Sequence, residues 1–162
     1  MKIYSLRRSQ ELPISLEEAW LFFSSPGNLK KITPKKMGFD ILSEGSDEPM
    51  YPGMIIRYLV RPMLNLPVHW VTEITHVNEP YYFVDEQRFG PYAFWHHQHK
   101  FKATEKGVLM EDIVNYALPL GVLGRFAHWA FVEKQLDDIF DHRHTTLASY
   151  FESSHTLKNT IS

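Results

Sequence analysis

The apolar residues of this chain change their spacing near residue 122, and this change constrains the fold more than any other feature. Between residues 39 and 118 they occur in short, largely alternating runs separated by Gly, Pro, Asn or Asp, which is typical of antiparallel strands. From 122 to 151 they recur in steps of three or four, which predicts one long amphipathic helix. The predicted strands span residues 39–42, 54–60, 68–77, 82–89, 94–103 and 108–118.

The N-terminal part of the sequence predicts another strand and two short helices. Residues 2–12 alternate weakly and stop at Pro13. Ser15, with Glu18 three positions later, forms a capping-box pattern that starts a helix, and residues 29–32 fit a second one. We therefore expect an α+β fold in which a curved, seven-stranded antiparallel sheet wraps around the long C-terminal helix.

Length and composition restrict the classes of protein that remain. The chain has 162 residues, which suits a single domain, and we place this domain at residues 1–151 with a polar, frayed tail at 152–162. The net charge of -2, with both signs interspersed, does not predict a nucleic-acid partner. Cysteine is absent, so disulfides and thiol nucleophiles are excluded. No apolar run reaches the roughly 20 residues of a membrane span, and we expect a cytoplasmic protein without stable membrane insertion.

The run of residues 95–101 carries the first functional signal. Side chains alternate across a strand, so Trp95, His97, His99 and Phe101 share one face, and the other face is polar. A structural core seldom combines imidazoles with large aromatics, whereas a ligand-lined cavity readily does.

A tight turn at residues 104–107 would pair this strand with the next one. If Thr104 faces Gly107, the register places Trp95 opposite Tyr116, His97 opposite Val114, His99 opposite Asp112 and Phe101 opposite Met110. A shift of one residue would bury Glu111 and Asn115 against aromatic rings, so the pattern favours the first register.

The other segments predict an apolar chamber with polar groups in one wall. On the strand at 82–89 we assign Phe83, Asp85, Gln87 and Phe89 to the inner face, and we expect Phe126, Trp129 and Ala130 of the helix to descend onto the sheet. The expected ligand-binding residues are Tyr58, Trp70, Phe83, Gln87, Trp95, His97, His99, Asp112, Tyr116, Phe126 and Trp129.

The order of elements resembles the helix-grip fold of the SRPBCC superfamily, which includes START lipid-transfer domains, birch-pollen-allergen-like proteins and polyketide cyclases. A narrower pattern is similar to bacterial ligand-binding SRPBCC proteins; it consists of Gly90, Pro91, Trp95, His97, His99, Phe101, Gly107, Asp112, Tyr116, Pro119, Gly121, Leu123 and Gly124. The resemblance implies a cavity between sheet and helix for a hydrophobic or amphipathic small molecule, which some members carry, some sense and some transform.

Several interpretations of the polar residues stay open. His99 beside Asp112 fits a structural pair, a polar anchor for a ligand, or an acid–base pair in a cyclase, dehydratase or hydrolase. No catalytic residue is assigned, and no cofactor is expected. His97 and His99, with Asp112 as a third ligand, also fit a zinc or iron site, but zinc ligands usually need further groups that hold them in place, and the only carboxylates expected nearby are Asp112 and Asp85. An interaction module would need an apolar outer helix face, and the sequence shows none clearly.

Overall fold

The computed structural model of the chain describes residues 1–43, 48–61 and 66–160, with side chains through Glu152. The strands are β1 (Tyr4–Leu12), β2 (Asp40–Ile41), β3 (Ile55–Val60), β4 (Val68–Asn78), β5 (Tyr82–Phe89), β6 (Phe94–Thr104) and β7 (Gly107–Ala117). The α-helices are α1 (Leu16–Phe23), α2 (Pro26–Leu29), α3 (Val122–Ala127) and α4 (Glu133–Thr160). Short 3₁₀ turns follow α2 at Lys30–Ile32 and Lys35–Met37, and a π-helical turn joins α3 to α4 at His128–Val132.

The seven strands form one antiparallel sheet, as the sequence predicts, and their order is β1-β7-β6-β5-β4-β3-β2. The helices α1 and α2 connect the two edge strands. Two register irregularities between β4 and β5, at Val71/Thr72 and Ile74/His76, add to the bend of the sheet. No helix among the described residues is both long and apolar enough to cross a membrane.

The helix α1 begins at the predicted cap. Ser15 Oγ accepts a hydrogen bond from the Glu18 amide, and the Glu18 carboxylate accepts one from the Ser15 amide, each at 3.1 Å. Trp20 and Phe23 are buried and pack against Phe101 of β6. The apolar face of α1 therefore closes one end of the concave side of the sheet.

The hairpin β6–β7 has the predicted register. Trp95 pairs with Tyr116, His99 with Asp112, and Thr104 with Gly107. Gly107 has a φ of +142°, and a Cβ atom there would lie 2.2 Å from the carbonyl oxygen of Leu12. Glycine is therefore required at this turn both for its backbone conformation and for the close approach of β1.

The predicted inner face of β5 is only partly correct. Phe83 is buried, but Phe89 is 72% exposed, so the assignment of Phe89 to the core is wrong. The pairing of β5 with β6 ends at Glu86, opposite His96, and Phe89 continues past the part of the sheet that β6 covers. Alternation along a strand places a side chain on a face, but burial also needs a neighbouring strand or helix.

The C-terminal helix differs from the prediction in its first turns. Phe126 and Trp129 are 64% and 75% exposed, and Ala130 is also exposed, so the expectation that these side chains descend onto the sheet is wrong. Gly124, His128 and Val132 are buried instead. The cause is the π-helical turn, which has more residues per turn than an α-helix and therefore moves the inner face to steps of four residues.

Beyond the π-helical turn the predicted apolar stripe lies inward. Leu136, Phe140, Leu147 and Phe151 are all buried. The backbone of α4 stays helical to Thr160, past residue 151 where the sequence predicts a frayed tail. Arg8 of β1 forms an ion pair with Asp137 on the outer side of α4, which ties this helix to the edge of the sheet.

Candidate functional site

A cavity of about 570 Å³ lies between the sheet and the C-terminal helices. Its walls are mostly aromatic and aliphatic side chains, among them Val60, Ile74, Phe131, Leu136, Ile139 and Phe140. Leu120 and Leu123 also line the cavity, although they are 76% and 70% exposed. The cavity therefore reaches the surface beside the corner that joins β7 to α3.

The structure brings six of the eleven predicted ligand-binding residues to this cavity, and the others lie elsewhere. Those that line it are Tyr58, Trp70, Phe83, Trp95, His97 and His99. Those that do not are Gln87, Asp112, Tyr116, Phe126 and Trp129. Asp85, which the sequence places on the inner face of β5, is also part of the lining.

Gln87 and Tyr116 have structural partners that explain their positions. The Gln87 amide donates to the Tyr92 carbonyl at 2.7 Å and accepts from the Tyr92 amide at 3.2 Å, so it holds the loop between β5 and β6. The Tyr116 hydroxyl lies 2.8 Å from Nε2 of His128, and burial raises the pKa of Tyr116 to about 12. Tyr116 therefore attaches the π-helical turn to β7.

Four side chains from three adjacent strands form a buried polar group, which we call the His/Asp cluster: Asp85, His97, His99 and Asp112. His97 and His99 are two positions apart on β6 and so share a face. In the sheet, Asp85 lies directly opposite His97, and Asp112 lies directly opposite His99. The cluster is thus positioned by regular strand pairing.

Each imidazole of the cluster contacts both carboxylates. Nε2 of His97 is 2.9 Å from Oδ1 of Asp112, and Nε2 of His99 is 2.9 Å from Oδ2 of Asp85. The Nδ1 atoms make the complementary contacts, at 3.3 Å from His97 to Asp85 and 3.0 Å from His99 to Asp112. The predicted His99–Asp112 contact is present, but it is one of four rather than an isolated pair.

Opposite charges within the cluster shift the pKa values of its members. Burial alone would lower the pKa of His97, but the charges of Asp85 and Asp112 and the hydrogen bonds to them outweigh burial and raise the pKa to about 9. Burial would raise the pKa of Asp85, yet His97 and His99 hold it far below its usual value. At neutral pH His97 is therefore protonated beside an ionised Asp85.

Arg143 is a member of the site that the sequence does not assign. It interrupts the apolar stripe of the C-terminal helix, and in the structure it is 7% exposed, with Nη1 3.5 Å from Oδ1 of Asp112. Burial opposes ionisation of Asp112, but the charge of Arg143 and the contacts with the two histidines hold the pKa of Asp112 well below its usual value. A lone cation within an apolar helix face was the available signal, because such a residue needs a buried partner.

Trp95 and Arg143 lie beside the His/Asp cluster. The Trp95 indole donates to Oδ1 of Asp85 at 3.3 Å. Arg143 also lines the cavity, and its buried Nε has no hydrogen-bond partner among the described residues. Asp85, His97 and His99 each offer one ligand atom, and these atoms lie within 4.8 Å of one another, a spacing that could hold a metal ion.

Comparisons with known proteins identify the fold through structure rather than sequence. No family model matches the chain, and no curated protein matches its sequence. A START superfamily protein from Mycobacterium smegmatis is 14% identical, with a TM-score of 0.67 over 92% of this chain and 97% of that chain. TTHA0849 from Thermus thermophilus is 13% identical, with a TM-score of 0.71 over 93% and 99% of the two chains.

A further solved structure gives the same result at a lower TM-score. Ara h 8.0201 is 14% identical, with a TM-score of 0.57 over 91% of this chain and 99% of that chain. The matches extend over nearly all of both chains in each case, so they concern the whole architecture and not a shared fragment. The chain therefore has the helix-grip fold of the START-like, or SRPBCC, proteins.

Proposed function

We propose that this protein binds a hydrophobic or amphipathic small molecule in the cavity between its sheet and its C-terminal helices. The observation that carries this proposal is an apolar cavity of about 570 Å³ with a buried polar cluster in one wall. Cavities of roughly 300–1,000 Å³ with apolar walls and a few placed polar groups are the usual form of small-molecule sites. The shared fold of the START superfamily protein supports the same class of function.

The polar wall indicates how the ligand is oriented. Arg143 lines the cavity and its Nε has no hydrogen-bond partner among the described residues, so we expect the polar end of the ligand to carry an acceptor oxygen. The rest of the cavity is apolar and accepts a hydrocarbon or ring system. The ligand would therefore lie with its oxygen toward the cluster and its apolar part toward Leu120 and Leu123.

A cavity-filling substitution tests this proposal. Ile139 lines the cavity, whereas Ile55 is 50% exposed on β3 and does not line it. Ile139→Trp should reduce binding of the fluorescent probe 1-anilinonaphthalene-8-sulfonate at least about tenfold, since the indole occupies the space of the ligand. The matched control Ile55→Trp should bind as the wild type does. Equal binding by both variants, with both folded by circular dichroism, would refute binding in this cavity.

Identification of a compound bound to the purified protein provides a second test of the proposal. Native mass spectrometry of the purified protein should show a mass excess that organic extraction removes, and the extracted compound should be apolar with an oxygen function. The Ile139→Trp variant should purify without it. An extracted compound retained equally by Ile139→Trp would argue against the cavity as the site.

The second candidate function is proton-transfer catalysis, as in a cyclase, dehydratase or hydrolase. The observation in its favour is that two imidazoles in the cavity wall each contact two carboxylates, which is a suitable arrangement for moving protons. Asp112→Asn separates the two functions. A pure binding protein should keep its affinity within several-fold, whereas an enzyme should retain binding and accumulate an unconverted compound that differs from the compound extracted from the wild type.

A further inference from the structure

We propose that Asp85, His97 and His99 bind a divalent transition-metal ion of the zinc type, with an open coordination position toward the cavity. This proposal concerns the protein alone and does not require the cavity ligand to be known. It assigns a role to side chains that a hydrophobic carrier would not need, since a single hydrogen-bond donor is enough to orient an amphipathic molecule.

The spacing of the donor atoms fits a small ion. Oδ2 of Asp85 lies 3.3 Å from Nδ1 of His97 and 2.9 Å from Nε2 of His99. With bonds of about 2.0–2.1 Å, the ligands of a tetrahedral zinc ion lie about 3.4 Å from one another. All three donor atoms lie within 4.8 Å of one another, so small side-chain movements would bring them to this spacing. Two imidazoles and one carboxylate are also ligands that zinc and similar divalent ions accept.

The outer contacts of the ligands follow the pattern of a metal site. Each imidazole directs one nitrogen toward Asp85 and the other toward Asp112, at 2.9 Å for His97 and 3.0 Å for His99. Histidines that bind metals usually contact a carboxylate through the second ring nitrogen, which fixes the ring orientation. His97 has such a contact, since its Nε2 is hydrogen-bonded to Asp112, whereas Nδ1 of His99 lies 3.0 Å from Asp112 without hydrogen-bond geometry.

Two further residues hold the carboxylates of Asp112 and Asp85 in place. Arg143 holds Asp112 at 3.5 Å, and the Trp95 indole donates to the second oxygen of Asp85 at 3.3 Å. Asp85 thus keeps Oδ2 for the ion while Oδ1 is occupied. All three proposed ligands lie on adjacent paired strands, which gives the site a rigid support.

Charge and access are compatible with a bound cation. A metal-bound imidazole is neutral, so the ion would replace the His97 proton as the positive charge that, with Arg143, faces the two carboxylates. Asp85, His97 and His99 line the cavity, whereas Asp112 lies behind them. Three protein ligands and one position open to the cavity are characteristic of zinc sites that bind water or substrate rather than purely structural ones.

Metal titration of the untagged full-length chain tests this proposal. After chelator treatment and dialysis, the protein should bind one Zn²⁺ per chain by isothermal titration calorimetry, and Co²⁺ should give the visible absorption of a four- or five-coordinate complex. His97→Ala and Asp85→Asn should each weaken Zn²⁺ binding at least about a hundredfold, and Asp112→Asn by about 10- to 100-fold. The matched control His96→Ala lies on the same strand with its side chain on the opposite face, and it should bind as the wild type does.

Two further measurements distinguish loss of metal binding from misfolding and from loss of the cavity. Imidazole ¹⁵N NMR of the wild type should show Zn²⁺ shifting Nδ1 of His97 and Nε2 of His99, and this needs no variant. The cavity-filling variant Ile139→Trp should still bind Zn²⁺, because Ile139 is not a proposed ligand, so loss of metal and loss of the cavity are distinguishable. Absence of stoichiometric Zn²⁺, or identical affinities for wild type and His97→Ala, would show that the cluster is only a buried ion-pair network.

Discussion

Arg143 of the C-terminal helix lies against Asp112 of the last strand, with Nη1 3.5 Å from Oδ1 and both side chains more than nine-tenths buried. The guanidinium is also 5.6 Å from the ring of Phe23 and 5.9 Å from that of Phe140. One cation thus connects the first helix, the last helix and the wall of the cavity. The position of the helix and the charge balance of the His/Asp cluster therefore both depend on Arg143.

Replacing Arg143 by Leu should destabilise the fold strongly, because the buried carboxylate of Asp112 would lose the compensating charge of the guanidinium. We expect a loss of about 3–5 kcal/mol in the free energy of unfolding, measured by urea denaturation. The control is Lys134→Met, which removes the exposed ion pair with Asp138 at 2.7 Å and should leave stability close to that of the wild type, because exposed pairs contribute little. Similar effects of both variants would contradict the role assigned to the buried pair.

Metal-free protein should lose stability as the pH rises from about 6.5 to about 9. The pKa of His97 is about 9 in the folded protein, against about 6.5 for an unfolded histidine. Protonated His97 therefore stabilises the fold fully below about pH 6.5, and this contribution is lost as the pH rises through about 9. The loss is about 3 kcal/mol and is measured by urea denaturation at each pH in the presence of a chelator.

The carboxylates of the cluster have the opposite dependence. Asp85 and Asp112 have lowered pKa values, so their contribution is present above about pH 4 and is lost only as the pH falls further. They do not contribute to the alkaline change. His96→Gln should keep the alkaline loss of stability, and His97→Gln should abolish it. An unchanged pH profile in His97→Gln would disprove the assignment to His97.

The outward orientation of Phe126 and Trp129 predicts that neither side chain supports the fold. Phe126→Ser and Trp129→Ser should each change the free energy of unfolding by less than about 0.5 kcal/mol. Phe140→Ala, which removes a buried ring from α4, should cost about 3–5 kcal/mol. Thermal unfolding followed by circular dichroism checks this comparison. A large loss in Trp129→Ser would mean that the indole is covered in solution.

Two glycines separate backbone strain from steric clash. Gly53 has a φ of +89° with open space where a Cβ would lie, so Gly53→Ala should cost about 1–2 kcal/mol from strain alone. Gly107→Ala adds a contact of 2.2 Å with the backbone of Leu12, so it should cost clearly more. Urea denaturation of the two variants gives the comparison. Equal losses would indicate that β1 moves away from the turn without penalty.

The sequence predicts the hairpin β6–β7 well, because a two-residue turn and the aromatic pattern together allow only one register. It predicts the contact of His99 with Asp112 for the same reason. It does not predict that His97 also reaches Asp112 or that Asp85 joins both histidines. The contacts of His97 with Asp112 and of His99 with Asp85 are diagonal and depend on strand twist and side-chain rotamers, which a register alone does not determine.

The orientation of the first turns of the C-terminal helix could not be predicted for a different reason. Phe126 and Trp129 fit an α-helical stripe with Val132, and the π-helical turn that moves them outward has no signal in residue spacing. The partner of Arg143 could not be predicted for a third reason. The sequence places Arg143 on the apolar face of the helix, but its partner depends on how the helix lies across the sheet, which periodicity does not specify.

The pairing of the first strand with the last one also has a consequence for biosynthesis. Tyr4 pairs with Tyr116, so β1 leaves the ribosome long before its neighbour in the sheet exists. Until β7 is made, β1 is a strand with unpaired amide and carbonyl groups, which is the kind of surface that associates with other chains. A chain shortened before Gly107 would keep this surface permanently, so we expect such fragments to aggregate.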